Sequence, residues 1–147
     1  ALSFNCYALS PDHEKMNHAL EISGLPMIIG EYHFGTVDRG LAQSLWQVNS
    51  QKERGDAFRY YTENAFAHRG LIGTGWFRWI DQNINGRTDG ENYNCGFIDV
   101  TDRPYPYMVD AAIKTAKSLY EIHSGTKTPF HQAPNAVGHS PIPDLWE

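Results

Sequence analysis

The sequence predicts an α/β fold of repeated strand–helix units, and three observations carry that expectation. The run Pro26 to Tyr32 is apolar without polar alternation, as in strands of a parallel sheet covered by helices. Amphipathic helical stretches follow each strand-like run and stop at glycine. The resulting order is strand, helix, strand, helix, strand, helix, which builds parallel sheets.

The elements follow in order. Leu2 to Tyr7 reads as a short strand with Phe4 and Cys6 on one face and Ser3, Asn5 and Tyr7 on the other. Ser10-Pro11-Asp12 opens a helix, with a capping hydroxyl and proline at its first position. Met16, Ala19 and Leu20 give that helix an apolar face, and Gly24 stops it. Pro26 to Tyr32 is the second strand. Gly35 to Ser50 is a long connection holding Asp38, Arg39 and Trp46, and long loops at strand ends are often functional. Lys52 to Arg69 is helical, with Phe58, Tyr61 and Ala65 as its stripe and Gly70 as its stop. Leu71 to Ile80 is the third strand, followed by a loop rich in Asn, Gly and Asp. The last helix runs from about Tyr105 to His123, with Val109, Ala112, Ala116 and Leu119 as its buried stripe, and Gly125 closes it. These elements make one unit over 1–125. Residues 126–147 form a Pro-rich extended tail in which Leu145 and Trp146 call for packing, since both are costly to leave in water.

Composition narrows the function. The chain has 147 residues, 41% of them hydrophobic and 20% charged, with a net charge of −5, enough for one domain with a sizeable core. No Lys/Arg cluster offers a nucleic-acid surface. No stretch reaches the roughly 20 apolar residues of a membrane span. Aromatic residues make up 13% of the chain, a content suited to sugar platforms and to large cores alike. No signal peptide opens the chain, which starts at Ala1 directly in strand-like sequence, as a processed or truncated product would. Cys6 reads as a buried thiol; a Cys6–Cys95 disulfide is the alternative in a secreted protein.

Glu31 ends the apolar run. A carboxylate at a strand's C-terminal mouth must be paired, hydrogen-bonded or open to a cleft, because desolvating it alone costs several kcal/mol. Strand C-termini are where α/β folds place chemistry. The other reading is a structural carboxylate paired with Arg39 or Arg78. Asn5 and Tyr7 end the first strand, and a phenol beside a carboxylate can hold it ionised and oriented. Alternation over the third strand puts Phe77, Trp79 and Asp81 on one face, an indole followed by a carboxylate. An indole suits a pyranose face; the other reading is a core tryptophan with Asp81 capping the loop. His33 shares the face of Glu31. A metal held by Glu31, His33 and Asp38 is the weaker reading, because no ligand spacing supports it. DGENYN lacks the ligand pattern of a calcium loop. No phosphate loop or nucleophile elbow is present, so no cofactor is expected.

Taken together, SFNCY, PMIIGEYHFGTVDRG, GTGWFRWIDQ and GRTDGENYNCGFIDVTDRPYP resemble the C-terminal part of a retaining (β/α)8 glycoside hydrolase, most closely the β-agarases of glycoside hydrolase family 50. The resemblance covers about Leu2 to Gly125. It implies that the strands are the sixth to eighth of a TIM barrel. It implies Glu31 as nucleophile, Tyr7 as the residue that orients it and Trp79 as sugar platform. It implies a cleft lined by Asp89, Glu91 and Asn92, to which the strand-end groups Asn5, His33, Arg39 and Asp81 add candidate substrate contacts. In that clan the acid/base glutamate ends the fourth strand, so it lies outside this chain. The implied substrate is an agar-type oligosaccharide or polysaccharide, and the implied partner is the missing N-terminal barrel portion or another chain. Neither nucleic acid nor membrane is expected, and the setting is secreted or periplasmic. The alternative is a non-catalytic carbohydrate-binding or structural relative of the same fold.

Overall fold

The computed structural model describes residues 1–139; the expected packing of Leu145 and Trp146 falls outside the described residues. Strands β1 (Leu2–Phe4), β2 (Met27–Tyr32) and β4 (Leu71–Trp76) form a parallel sheet in the order β1-β2-β4. Helices α1 (His13–Ser23), α2 (Gln51–Phe66) and α3 (Pro106–His123) follow β1, β2 and β4. A second, antiparallel pair joins β3 (Trp46–Gln47), inside the long β2–α2 connection, to β5 (Val137–Gly138) in the tail.

All three helices cover one face of the sheet. Met16 of α1, Ala57, Phe58 and Tyr61 of α2, and Met108 and Ala111 of α3 make one core with Met27, Ile29 and Leu71. The opposite face is uncovered: Ser3 and Asn5 are exposed, Ile28 is half-buried and Ile72 is 57% exposed. The continuous apolar run of β2 therefore does not mean burial on both faces, as its sequence predicts.

Local chemistry sets the element ends. Asp12, not Ser10, caps α1, accepting from the amides of Glu14 and Lys15 at 2.9 and 3.2 Å. Gly24 ends that helix in the left-handed conformation, φ 63°, where a side chain would be strained. Ser50 caps α2 through the Glu53 amide, while Glu53 reaches back to the Asn49 amide, a variant of the capping box. Phe58, Tyr61 and Ala65 are buried, as the spacing predicts.

The stripe of α3 is a correction. Met108, Ala111, Thr115, Ser118 and Ile122 are buried, whereas Val109 is 37% exposed and Ala116 is exposed. Two stripes of equal spacing run along this helix. The one carrying Thr115 is inside because Thr115 donates to the buried carboxylate of Glu63 at 3.0 Å. Met108 also packs beside the point where Gly55 of α2 meets the Tyr107 carbonyl.

Two shifts break the register of β2 with β4: the first, between Met27 and Ile28, adds a residue on β4, and the second adds one on β2. Ile29 pairs with Thr74, but the next pair is Tyr32 with Trp76, so three steps on β2 match two on β4. This bulge reverses the alternation. Tyr32 joins Met27 and Ile29 against α2, stacking on Tyr61 at 4.0 Å, and Glu31 is released to the uncovered face.

Candidate active site

Glu31 ends β2, half-buried, and Tyr7 follows β1. The Tyr7 hydroxyl donates to Glu31 Oε2 at 2.8 Å. The phenol's pKa is pushed well above its ordinary value, first by burial and then by the hydrogen bond to Glu31 and its charge. Tyr7 therefore stays protonated and remains a donor to the carboxylate. Arg39 and Arg78, the partners expected of a structural Glu31, do not pair with it. Arg39 lies 3.8 Å from Asp38 and over the Tyr105 ring, and among the described residues Glu31 forms no ion pair with Arg39 or Arg78.

His33 supports this pair from below. Its ring meets Tyr7 edge-on at 4.9 Å. Nδ1 faces the Phe77 carbonyl at 3.1 Å and Nε2 faces the Leu45 amide at 3.1 Å, so Nδ1 carries the proton and Nε2 accepts. Burial lowers its pKa to about 4 and keeps the imidazole neutral. With both nitrogens bound to backbone, His33 has no lone pair for a metal.

Rings extend the group on the other side. Phe77 and Tyr93 lie 5.9 and 5.8 Å from the His33 ring. Arg87 sits 5.9 Å from Phe77, bonds to Asp89 and lies 3.4 Å from Glu91. The bond to Asp89 raises the Arg87 pKa most, and Glu31 is among the charges that act on it. Glu91 also accepts from Gln82 at 2.8 Å and contributes to the Tyr7 shift. The 82–93 loop thus carries charges, Arg87 and Glu91, that act on the Tyr7–Glu31 pair. Asn92 is half-buried, and its carbonyl accepts from the Ala42 amide at 3.2 Å. Asn5 is exposed on the open face, with its Oδ1 beside Gly30.

Trp79 and Asp81 do not share a strand face, because β4 stops at Trp76. Trp79 is 69% exposed and stacks on Phe97 at 5.9 Å. Asp81 is buried. Its carboxylate accepts from Asn94 Nδ2 at 2.9 and 3.1 Å, from the Gly96 amide at 2.7 Å and from the Tyr105 hydroxyl at 2.6 Å. Arg54, fully buried, donates to the carbonyls of Asn94 and Gly96 and lies over the Tyr105 ring at 4.4 Å. This network pins the loop after β4 to α2, so Asp81 is saturated by protein partners. Burial, with Asp81 nearby, pushes the Cys95 thiol up to about 12; Cys6 and Cys95 are separate thiols, not a disulfide.

Several of these residues carry no signal in the sequence. Trp46 donates its indole N–H to the Tyr7 carbonyl at 2.8 Å, from a loop with no helix or strand periodicity. Arg54, Asn94 and Tyr105 form their network across widely separated segments. Among the described residues no group of three His, Cys, Asp or Glu side chains is placed to hold a metal ion, and no helix is long and apolar enough to cross a membrane.

The one-sided α/β sheet delivers a phenol-bonded carboxylate at its C-terminal edge, and comparison with known proteins points to the glycoside hydrolases. No protein-family model matches the chain. It is 44% identical over 103 residues to β-agarase A of Vibrio sp. (strain JT0107), a match covering 69% of this chain and 10% of that enzyme. It is 37% identical over 126 residues to β-agarase B of the same strain, covering 81% of this chain and 13% of the enzyme. The solved structure of an exo-β-agarase superposes with a TM-score of 0.79 at 38% identity, covering 85% of this chain and 17% of that one. By sequence and fold the chain is a relative of the β-agarases, similar to those of glycoside hydrolase family 50, and it spans about a tenth of the curated relatives it matches.

Proposed function

We propose that the chain provides the nucleophile side of a retaining β-agarase-type active site that cleaves β-glycosidic bonds of a galactan such as agarose. The observation that carries this reading is the Tyr7–Glu31 hydrogen bond on the uncovered face of the sheet. Glu31 attacks the anomeric carbon and forms a glycosyl ester. A second carboxyl group, about 5–5.5 Å away in retaining enzymes, protonates the departing oxygen. That group then removes a proton from the water that cleaves the ester, and Glu31 is regenerated as a carboxylate. Tyr7, held protonated, fixes the attacking oxygen pair. Phe77, Tyr93 and the exposed Trp79 offer ring faces to the sugar, and Asn5, Arg39, Asp89, Glu91 and Asn92 offer polar contacts.

The fold supports placing these strands as the sixth to eighth of a (β/α)8 barrel. Sequential strands with helices on one face only are a singly wound sheet, the geometry that closes into a barrel of eight. The uncovered face would become the barrel interior. The second stripe of α3, with Val109, Ile113 and Tyr120 exposed at 37%, 49% and 87%, would meet the first barrel helix. The acid/base glutamate would then come from the fourth strand, on the complementing portion. Such an enzyme works on an extracellular polymer, which fits a secreted or periplasmic setting.

The test is to combine this chain with the first five βα units of a β-agarase such as that of Vibrio and to assay agar oligosaccharides. Cleavage with retention that falls at least a thousandfold in Glu31→Gln is the expected result. Unchanged cleavage in that variant removes the nucleophile assignment.

A further inference from the structure

The tail after α3 is fastened at two places, and the second lies one hydrogen bond from Tyr7. Near its start, the Phe130 amide donates to the buried carboxylate of Glu63 at 2.8 Å, and its carbonyl accepts from Asn64 Nδ2 at 3.0 Å. The Phe130 ring also lies under Arg59 at 4.4 Å. Both backbone groups of one residue are thus held by consecutive side chains of α2. Further on, β5 pairs with β3, and the His139 amide donates to the Leu45 carbonyl at 2.7 Å.

Gly138 faces the indole of Trp46. A Cβ on Gly138 would stand 3.1 to 3.3 Å from three carbons of that ring, so the backbone of β5 packs directly against it. Phe34 meets the same indole at 6.4 Å from the core side. The ring is held between core and tail, and its N–H reaches the Tyr7 carbonyl at 2.8 Å. Tyr7 lies beyond the end of β1, so the sheet does not fix its carbonyl.

We propose that residues 130–139 act as a positioning strap, in which Gly138 seats the Trp46 indole so that it holds Tyr7 in place to orient Glu31. The inference rests on the reading of Glu31 as nucleophile. Gly138 and Trp46 are positioning residues and touch no substrate. The backbone of β3 is bonded independently to Gly35, through the Gly35 amide to Trp46 and the Val48 amide to Gly35, both at 2.9 Å. Loss of the strap should therefore release the indole without unravelling the loop.

Two measurements test this. In the full 147-residue chain, Gly138→Val should speed exchange of the Trp46 indole proton at least tenfold by NMR, with the signal assigned through Trp46→Phe, while the Ile29 amide keeps its protection. A chain ending at Pro134 lacks β5 and should do the same, which covers the case in which the valine variant fails to fold. Indole exchange within twofold of the parent in the shortened chain overturns the strap. In the complemented enzyme, Gly138→Val should lower kcat at least tenfold with KM within twofold, and Gln132→Ala, exposed between the two anchors, should change neither. Unchanged kcat in Gly138→Val, alongside a dead Glu31→Gln variant, overturns the strap and leaves the nucleophile standing. If Glu31→Gln cleaves normally, the nucleophile reading fails, and the indole exchange still reports on the strap alone.

Discussion

A methyl group on Gly75 would lie 2.4 Å from the carbonyl oxygen of Gly30, closer than any side chain tolerates. Gly75 stands opposite the extra residue of β2, and the Gly30 carbonyl belongs to the peptide that carries Glu31. The bulge that turns Glu31 away from the helical core therefore depends on a missing Cβ across the strand pair. Gly75→Ala should force the bulge outward and cost about 1–3 kcal/mol, the usual range for overpacking. Urea melts of the variant measure the loss, and cleavage by the complemented enzyme should fall with it. A variant as stable and active as the parent would show that the bulge does not place the carboxylate.

Tyr7→Phe removes one donor and no volume. The ring keeps its edge contact with His33, and the Trp46 indole keeps the backbone carbonyl. Only the Glu31 hydrogen bond is lost. A hydrogen bond to a charged group contributes roughly 1.5–3 kcal/mol, and a loss of that size in the transition state lowers kcat about tenfold to a hundredfold. A kcat equal to that of the parent would remove Tyr7 from the orienting role.

Where the chain states its structure locally, the sequence is legible. Gly24 and Gly125 mark helix ends through left-handed backbone, and the α2 stripe follows from its spacing. Tyr7 and Glu31 both sit at strand ends, so a parallel sheet brings them together. The bulge leaves only its glycines, Gly30 and Gly75, as a mark, and Ile28 and Ile29 offer no polar residue to reveal a change of face. Trp79 and Asp81 misled for a related reason. Their alternation is regular, yet Asp81 finds Asn94, Gly96 and Tyr105 as partners, which ends the strand at Trp76. The role of Trp46 is illegible because its seat, Gly138, comes from far along the chain. On α3 two equivalent stripes compete, and only the partner helix chooses between them.

His33 ties acid stability to the site. Its ordinary pKa of 6.5 falls to about 4 in the folded chain, because burial opposes the charged form. Above about pH 6.5 both folded and unfolded chains carry a neutral imidazole. Between there and about pH 4, only the unfolded chain takes up the proton, so stability falls as pH falls. That difference corresponds to roughly 3 kcal/mol. His33→Gln keeps a donor and an acceptor but does not titrate. Urea melts at pH 7 and pH 4.5 should show a smaller loss for the variant than for the parent, and equal losses would reject the linkage.

Asp81 tests whether its network is structural. Its carboxylate accepts four hydrogen bonds from Asn94, Gly96 and Tyr105, and Asp81 is the first of the charges that favour protonated Arg54. Burial alone pushes the Arg54 pKa down, so the guanidinium needs that neighbour. Asp81→Asn turns one acceptor oxygen into an NH2 that faces other donors, and it leaves a fully buried guanidinium with its main counter-charge removed. Leaving buried donors unmatched in this way costs about 1–3 kcal/mol for each group. The variant should melt far earlier than the parent, and agar oligosaccharides should not restore it, because Asp81 has no site left for a sugar. Normal stability combined with a raised KM would instead return Asp81 to the substrate.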